Sequence, residues 1–268
     1  KLYQLLDEPV TIDERPGAVD LPPIGTLDVD AVSFRYGDGP TVLDDVSISV
    51  APGRRVALVG PTGAGKSTLA KLMVRFYDPA EGSVSYGGVD LRDATLHSLR
   101  ERIVVVPQEG FLFGGTIRDN ILIAKPGASP AQVDEAVAAL GLEPRFAAFA
   151  NGLDTEVHER GANLSAGERQ LVSIARAALA DPTLVVLDEA TSSLDPGTEL
   201  IVEHALEQLM EGRTVIVIAH RLSTAARADL VAVVNHGRLV EVGHHDALVA
   251  RGGEYAALFA SWTGGARL

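Results

Sequence analysis

The stretch Gly60-Pro61-Thr62-Gly63-Ala64-Gly65-Lys66-Ser67 decides the fold. It fits G-x-x-x-x-G-K-[ST] and lies between an apolar run, Arg55 to Val59, and a helical pattern from Lys66 to Phe76. Glycines at these places free backbone N–H groups to turn toward phosphate oxygens, and the helix start adds the positive end of a dipole. Lys66 can then reach the outer phosphates and the Ser67 hydroxyl can ligate Mg²⁺. The candidate nucleotide-binding residues are therefore Gly60, Thr62, Gly63, Ala64, Gly65, Lys66, Ser67 and Thr68. A glycine-rich turn with an exposed lysine is the bland alternative, and the flanking strand and helix count against it.

Working outward, Ile103 to Val106, Leu184 to Leu187 and Thr214 to Ile218 are short continuous apolar runs, as in a parallel sheet covered on both faces. Leu27 to Tyr36 and Val42 to Val50 alternate, which predicts an N-terminal antiparallel β-subdomain. Ile117 to Leu179 is Ala-rich and helical with a break at Pro126 to Pro130, so an α-helical subdomain, about residues 116–170, is inserted in the core. The chain closes with Leu230 to Val234, a turn at Asn235-His236-Gly237, Leu239 to Val242 and one helix around Asp246 to Ala260. The fold class is α/β, a phosphate-loop NTPase with a mainly parallel central sheet. Lys1 to Asp7 reads as a helix end stopped by Pro9, and Pro16, Pro22 and Pro23 mark a linker, so residues 1–25 are expected to lead from a preceding domain into a folded domain at 26–268.

Lys+Arg 23 against Asp+Glu 36 gives a net charge of −13, which disfavours a nucleic-acid partner. The absence of cysteine excludes disulfides, cysteine-ligated zinc and thiol catalysis, and the cytoplasmic side is the default. The longest apolar runs fall far short of the roughly 18–20 residues that span a bilayer, and the first residues lack a secretory apolar region.

Leu184-Val185-Val186-Leu187-Asp188-Glu189 is an apolar strand ending in two carboxylates where ligands of open α/β sheets bind. Asp188 would hold Mg²⁺ through water, and Glu189 would orient or deprotonate an attacking water. Standing alone, such a run is often a strand meeting a solvated turn; the phosphate loop upstream gives it chemical meaning.

Between these motifs lies Leu164-Ser165-Ala166-Gly167-Glu168-Arg169-Gln170, directly before a helix, and with it the chain resembles the ATP-binding cassette family from Leu27 to Leu258. The family form is LSGGQ, so Ala166 and Glu168 depart from it while Ser165 and Gly167 are retained. The resemblance implies that Tyr36 stacks on adenine, that Gln108 touches Mg²⁺ and the attacking water, and that His220 contacts the γ-phosphate. It further implies that Ser165, Ala166, Gly167 and Asp195, the last in Ser192-Ser193-Leu194-Asp195, act across a dimer on the partner's nucleotide. Glu189, His220 and Gln108 are thus the expected catalytic residues, Ser67, Gln108 and Asp188 the Mg²⁺ ligands, and ATP with Mg²⁺ the ligands.

Phe111-Leu112-Phe113, the segment Gly115 to Ile121, the stretch Thr155 to Gly161 and the entry YQLLDEP are similar to exporter half-transporters whose membrane helices precede the ATPase on one polypeptide. Glu156 and Glu159 would face those helices, and Phe111 and Phe113 would either pack in the core or line the contact groove. The resemblance implies an ATPase at the cytoplasmic face of the membrane, partnered by a transmembrane domain and a second ATPase domain. A weakly hydrolysing member of an asymmetric pair and a soluble relative acting on nucleic acid are the alternative readings.

Overall fold

Apolar runs with no polar face are stable only where both faces are covered, and here they become strands of a six-stranded sheet, Ile103–Val106 at its edge and the others inside. The computed structural model describes residues 12–108, 110–188, 194–219 and 221–264. In chain order its elements are β1 (Leu27–Arg35), β2 (Thr41–Val50), β3 (Arg55–Val59), α1 (Lys66–Met73), β4 (Glu81–Tyr86), β5 (Val89–Asp90), α2 (Leu96–Arg102), β6 (Ile103–Val106) and β7 (Gly115–Thr116). There follow α3 (Ile117–Leu122), α4 (Pro130–Ala139), α5 (Glu143–Ala147), β8 (Glu156–Val157), α6 (Ala166–Ala180), β9 (Leu184–Asp188), α7 (Pro196–Met210) and β10 (Thr214–Ile218). The last are α8 (Leu222–Arg227), β11 (Leu230–Asn235), β12 (Arg238–Gly243), α9 (His245–Arg251) and α10 (Glu254–Gly264).

The large sheet runs β12-β11-β3-β10-β9-β6, parallel except for β12. Alternate residues of each strand enter different cores. Val56, Leu58, Val186 and Ile216 join α1 and the antiparallel sheet, whereas Ala57, Val59, Val185, Leu187 and Val217 join α6 and α7. The second core continues without a break into the helical insertion through Val106, Ile117, Ile121, Val133, Phe146 and Leu171. A short ribbon, Gly115 opposite Val157 and Thr116 opposite Glu156, adds to this insertion between β6 and β9.

The antiparallel sheet runs β2-β1-β4-β5, two strands more than the sequence pattern predicts. Glu81–Tyr86 carries few large apolar residues, and only Val84 and Tyr86 are buried, so the period-2 signal is thin. The available signal was the Gly87-Gly88 pair, whose φ values of 57 and 83 make the tight turn between β4 and β5. The helix expected to reach Phe76 stops at Met73. Arg75 takes a left-handed φ of 51, its N–H bonds Leu72 O at 3.0 Å, and Phe76 N bonds Lys71 O at 2.8 Å, a helix-ending motif usually built on glycine. The single terminal helix is two, divided at Gly252 with φ 70. The turn expected at Asn235-His236-Gly237 is present, with φ values of 46 and 75 at its last two residues.

Residues 12–25, expected as a linker, lie against the body. Val19 pairs in parallel with Ala94, and Leu21 is buried. The prolines forbid regular structure, yet they leave neighbouring backbone groups free to bond the start of α2.

Tyr86, at the end of β4, is fully buried, and its hydroxyl meets Thr183 Oγ1 at 2.8 Å just before β9. This bond ties the antiparallel sheet to the parallel one. Tyr86→Phe should lower unfolding stability by about 1 kcal/mol, the usual net value of a buried hydrogen bond, in urea titrations. An unchanged midpoint would assign the junction to ring packing alone.

Candidate functional site

The phosphate loop is shaped by close approaches that a side chain would prevent. At Gly60, with φ 145, a Cβ would stand 2.0 Å from Val234 O, and at Gly65, with φ 108, 2.7 Å from a Leu43 methyl. The β11–β12 turn supports the loop from below, with Gly237 N donating to Ala64 O at 3.0 Å and Asp44 N donating to Gly237 O at 2.9 Å. Gly65 caps α1 without any side-chain bond, so the first amides of the helix have no side-chain acceptor at their cap. Thr62 and Gly63 are exposed and Ala64 is buried.

Lys66 is only 7% exposed and folds back on the loop, its Nζ donating to Gly60 O at 2.8 Å and Pro61 O at 3.0 Å. Burial pushes its pKa below the usual lysine value, and the negative charge of Asp188 opposes that shift. A largely desolvated ammonium held by two neutral carbonyls favours an incoming anion, because phosphate oxygens supply the charge the carbonyls lack.

The neighbouring parallel strands β3, β10, β9 and β6 present their carboxyl ends at one edge. That edge carries the phosphate loop after Val59, Ala219 after Ile218, Asp188, and Pro107-Gln108 after Val106. Glu189 and His220 follow Asp188 and Ala219 in sequence and lie outside the described residues, as do Ser192 and Ser193. Ser67 and Gln108 are exposed, and neither the Ser67 hydroxyl nor the Asp188 carboxylate forms a hydrogen bond or ion pair among the described residues. Hard oxygen donors left free in this way fit Mg²⁺, which takes one or two protein oxygens and fills its shell from phosphate and water.

Tyr36, one residue beyond β1, is 39% exposed. Its ring meets Phe34 edge-on at 4.9 Å and Tyr77 edge-on at 5.2 Å. Its hydroxyl lies 3.1 Å from Thr68 Oγ1, so Thr68, which follows the loop, hydrogen-bonds the tyrosine hydroxyl.

Ser165, Ala166, Gly167 and Asp195 form a second cluster. Ser165 caps α6 by accepting from Glu168 N at 3.2 Å, while Glu168 Oε2 accepts from Ser165 N at 2.7 Å. Glu168 also pairs with Arg145 at 2.7 Å, which gives the departure from the LSGGQ pattern a structural use. A Cβ on Gly167 would stand 2.1 Å from Thr198 Cγ2, so this glycine lets α6 close on the start of α7. There Asp195 caps α7, and the hydroxyl and amide of Thr198 hold its carboxyl below the usual carboxylate range. Ser165, Ala166 and Asp195 are exposed.

Phe111 and Phe113 are 54% and 53% exposed and pair edge-on at 5.1 Å, which removes the core-packing alternative. Glu156 and Glu159 are exposed as well. Arg176, which sequence reasoning missed, organises this surface by donating to Phe111 O at 2.5 Å and to Asn120 O and Oδ1 at 2.6 Å. The signal was a single arginine in the otherwise small and apolar second half of α6. A cavity of about 260 Å³ on the α7 side of the sheet is lined by Asp188, Gln170, Leu206 and Met210 but by no phosphate-loop residue.

A profile of the family described as ABC transporter matches residues 43–192. The chain is 46% identical over 259 residues to the uncharacterized ABC transporter ATP-binding protein YknV of Bacillus subtilis, covering 96% of this chain and 43% of that protein. It is 44% identical over 259 residues to ATP-binding cassette sub-family B member 6 of Homo sapiens, covering 96% of this chain and 31% of that protein. A solved bacterial Atm1-family ABC exporter with ATP bound superposes with a TM-score of 0.88 at 42% identity, over 97% of this chain and 46% of that one. The chain thus spans less than half the length of these relatives.

Lys66→Ala should weaken ATP binding by about tenfold or more in calorimetry, since hydrogen bonds to charged groups are worth about 1.5–3 kcal/mol. Unchanged affinity would contradict the assignment of the loop.

Proposed function

The chain belongs to the ABC transporter family, and from that premise we propose that it is the ATP-hydrolysing engine of an exporter, working in a head-to-tail pair. The carrying observation is that its phosphate-directed groups fall into two clusters. One, around Lys66, sits at the sheet edge, and the other, around Ser165 and Gly167, sits where α6 meets α7. In a pair, the exposed Ser165 of one chain would donate to the γ-phosphate held by the other chain's loop, while its oxygen keeps accepting from Glu168 N. Asp195 would stand at the same contact.

Lys66 would exchange the carbonyls of Gly60 and Pro61 for phosphate oxygens, and the loop amides would hold the β-phosphate. Tyr36 would stack on adenine. Glu189 would accept the proton of the attacking water as that water's oxygen bonds the γ-phosphorus and the bond to the ADP oxygen breaks, with Gln108 and His220 fixing the water and the phosphate. Ser67, Gln108 and Asp188 would hold Mg²⁺, which neutralises phosphate charge when bound. The exposed Phe111, Phe113, Glu156 and Glu159 would meet a transmembrane domain on the same polypeptide, placing the chain at the cytoplasmic face of the membrane. No helix among the described residues is long and apolar enough to cross a membrane itself.

Glu189→Gln should bind ATP as the unaltered chain does and turn over roughly 10²–10⁴-fold more slowly, the usual contribution of a general base. With ATP and Mg²⁺ this variant should scatter light as a dimer. Single-turnover hydrolysis at the full rate would remove Glu189 from the role.

A further inference from the structure

We infer that Arg75 joins the segment Asp13–Leu21 to the Tyr36 ring, so that the attachment of this segment sets how well the ring presents its face to the base; the inference rests on Tyr36 being the adenine platform. Arg75 is 2% exposed, at the end of α1. Its Nε donates to Asp78 Oδ1 at 3.0 Å and its Nη2 to the backbone carbonyl of Asp13 at 2.9 Å, while Nη1 is buried without a partner. Half of this buried cation's acceptors therefore come from the preceding segment. If Asp13 leaves, a second nitrogen of a buried charge is orphaned, and the guanidinium must turn to find water or another acceptor.

That movement has a short route to the site. Arg75 and Asp78 are tied by their ion pair, and Tyr77 lies in the turn between them. The Tyr77 ring meets Tyr36 edge-on at 5.2 Å and Phe34 at 5.5 Å. The other side of the turn is fixed to α2, where Arg100 donates to Val74 O at 2.7 Å and lies 5.5 Å from the centre of the Phe76 ring. The segment itself rides on the start of α2. Glu14 Oε2 accepts from Leu96 N at 2.8 Å, Arg15 pairs with Asp93 at 2.8 Å, Asp20 accepts from Thr95 Oγ1 at 2.6 Å, and Leu21 N donates to Ser98 Oγ at 2.9 Å. Most of these anchors are exposed, so they release easily, whereas the Arg75 joint is buried and costly to break. Arg75 and Tyr77 are positioning residues, and a pull on the segment would lower nucleotide affinity through the base alone.

The test uses the 268-residue chain. The double variant Glu14→Ala/Asp20→Ala loosens the segment without touching the loop or the rings. ATP affinity without Mg²⁺, measured by calorimetry, should fall about three- to tenfold, part of what a base–aromatic stack contributes. Affinity for inorganic tripolyphosphate, which has no base, should not change. Tyr77→Ala should give a similar selective loss, Tyr77→Phe should not, and the double variant should add nothing in the Tyr77→Ala background. Undiminished ATP affinity, equal losses of ATP and tripolyphosphate, or additive losses would overturn the inference. Tyr36→Ala separates it from its premise. If that change leaves ATP affinity intact, the adenine reading fails; if it weakens ATP while the loosened segment does not, only the coupling fails.

Discussion

A carbonyl of β11 stands where the side chain of residue 60 would be. Because that position is glycine, β3 can end against β11 and turn at once into the phosphate loop, with the loop propped on the β11–β12 turn. The same economy at Gly65 brings the start of α1 down onto β2. Lys66, placed at the first turn of the helix, is then deep enough to be desolvated yet has only carbonyls to hold it. Strand order does the rest. With β3, β10, β9 and β6 side by side and parallel, residues more than a hundred positions apart reach one edge, and the Asp188 carboxylate faces a site whose only buried cation, among the described residues there, is Lys66.

The legible parts of the sequence were those where a local rule and the global fold demand the same residues. The buried parallel strands read clearly because both faces are covered, and the loop read clearly because its backbone admits few residue types. What escaped was decided by tertiary contact. Strands β4 and β5 are polar on their open side, so their identity comes from pairing with β1. Arg75 continues a helical pattern but leaves the helix, because its guanidinium is used by Asp78 and Asp13. The segment before Thr26 has a linker's composition, yet it bonds α2 with groups that proline-rich chains leave free. Glu168 looked like a loss at a recognition position, and only the reciprocal cap with Ser165 and the pair with Arg145 show its use. The two residues on which hydrolysis is proposed to turn, Glu189 and His220, lie outside the described residues, so their roles rest on sequence and on the edge their neighbours occupy.

The second cluster follows the same logic as the first. Gly167 lacks a side chain where Thr198 presses in, so α6, which opens on the Ser165-Ala166-Gly167 signature, packs closely on the start of α7, the helix capped by Asp195. Ser165 is exposed, and a capping box that satisfies Glu168 N leaves its hydroxyl hydrogen free to donate outward. Acidic surface would oppose the approach of two such chains, since each carries a net charge of −13, so closure of the proposed pair would have to draw on the nucleotide's contacts with both clusters. On the proposed reading, a chain that holds the two halves of a site in separate places would gain from pairing what it cannot build alone.

Complementation tests this division of labour most directly. The variants Lys66→Ala, with a disabled loop and an intact signature, and Ser165→Arg, with the reverse, should each hydrolyse ATP poorly alone. Mixed in equal amounts, half of random pairs combine one intact loop with one intact signature, so activity should recover toward about a quarter of the unaltered rate. A mixture no more active than the sum of its parts, at concentrations where the unaltered chain is active, would contradict the account and place both clusters at a site within one chain.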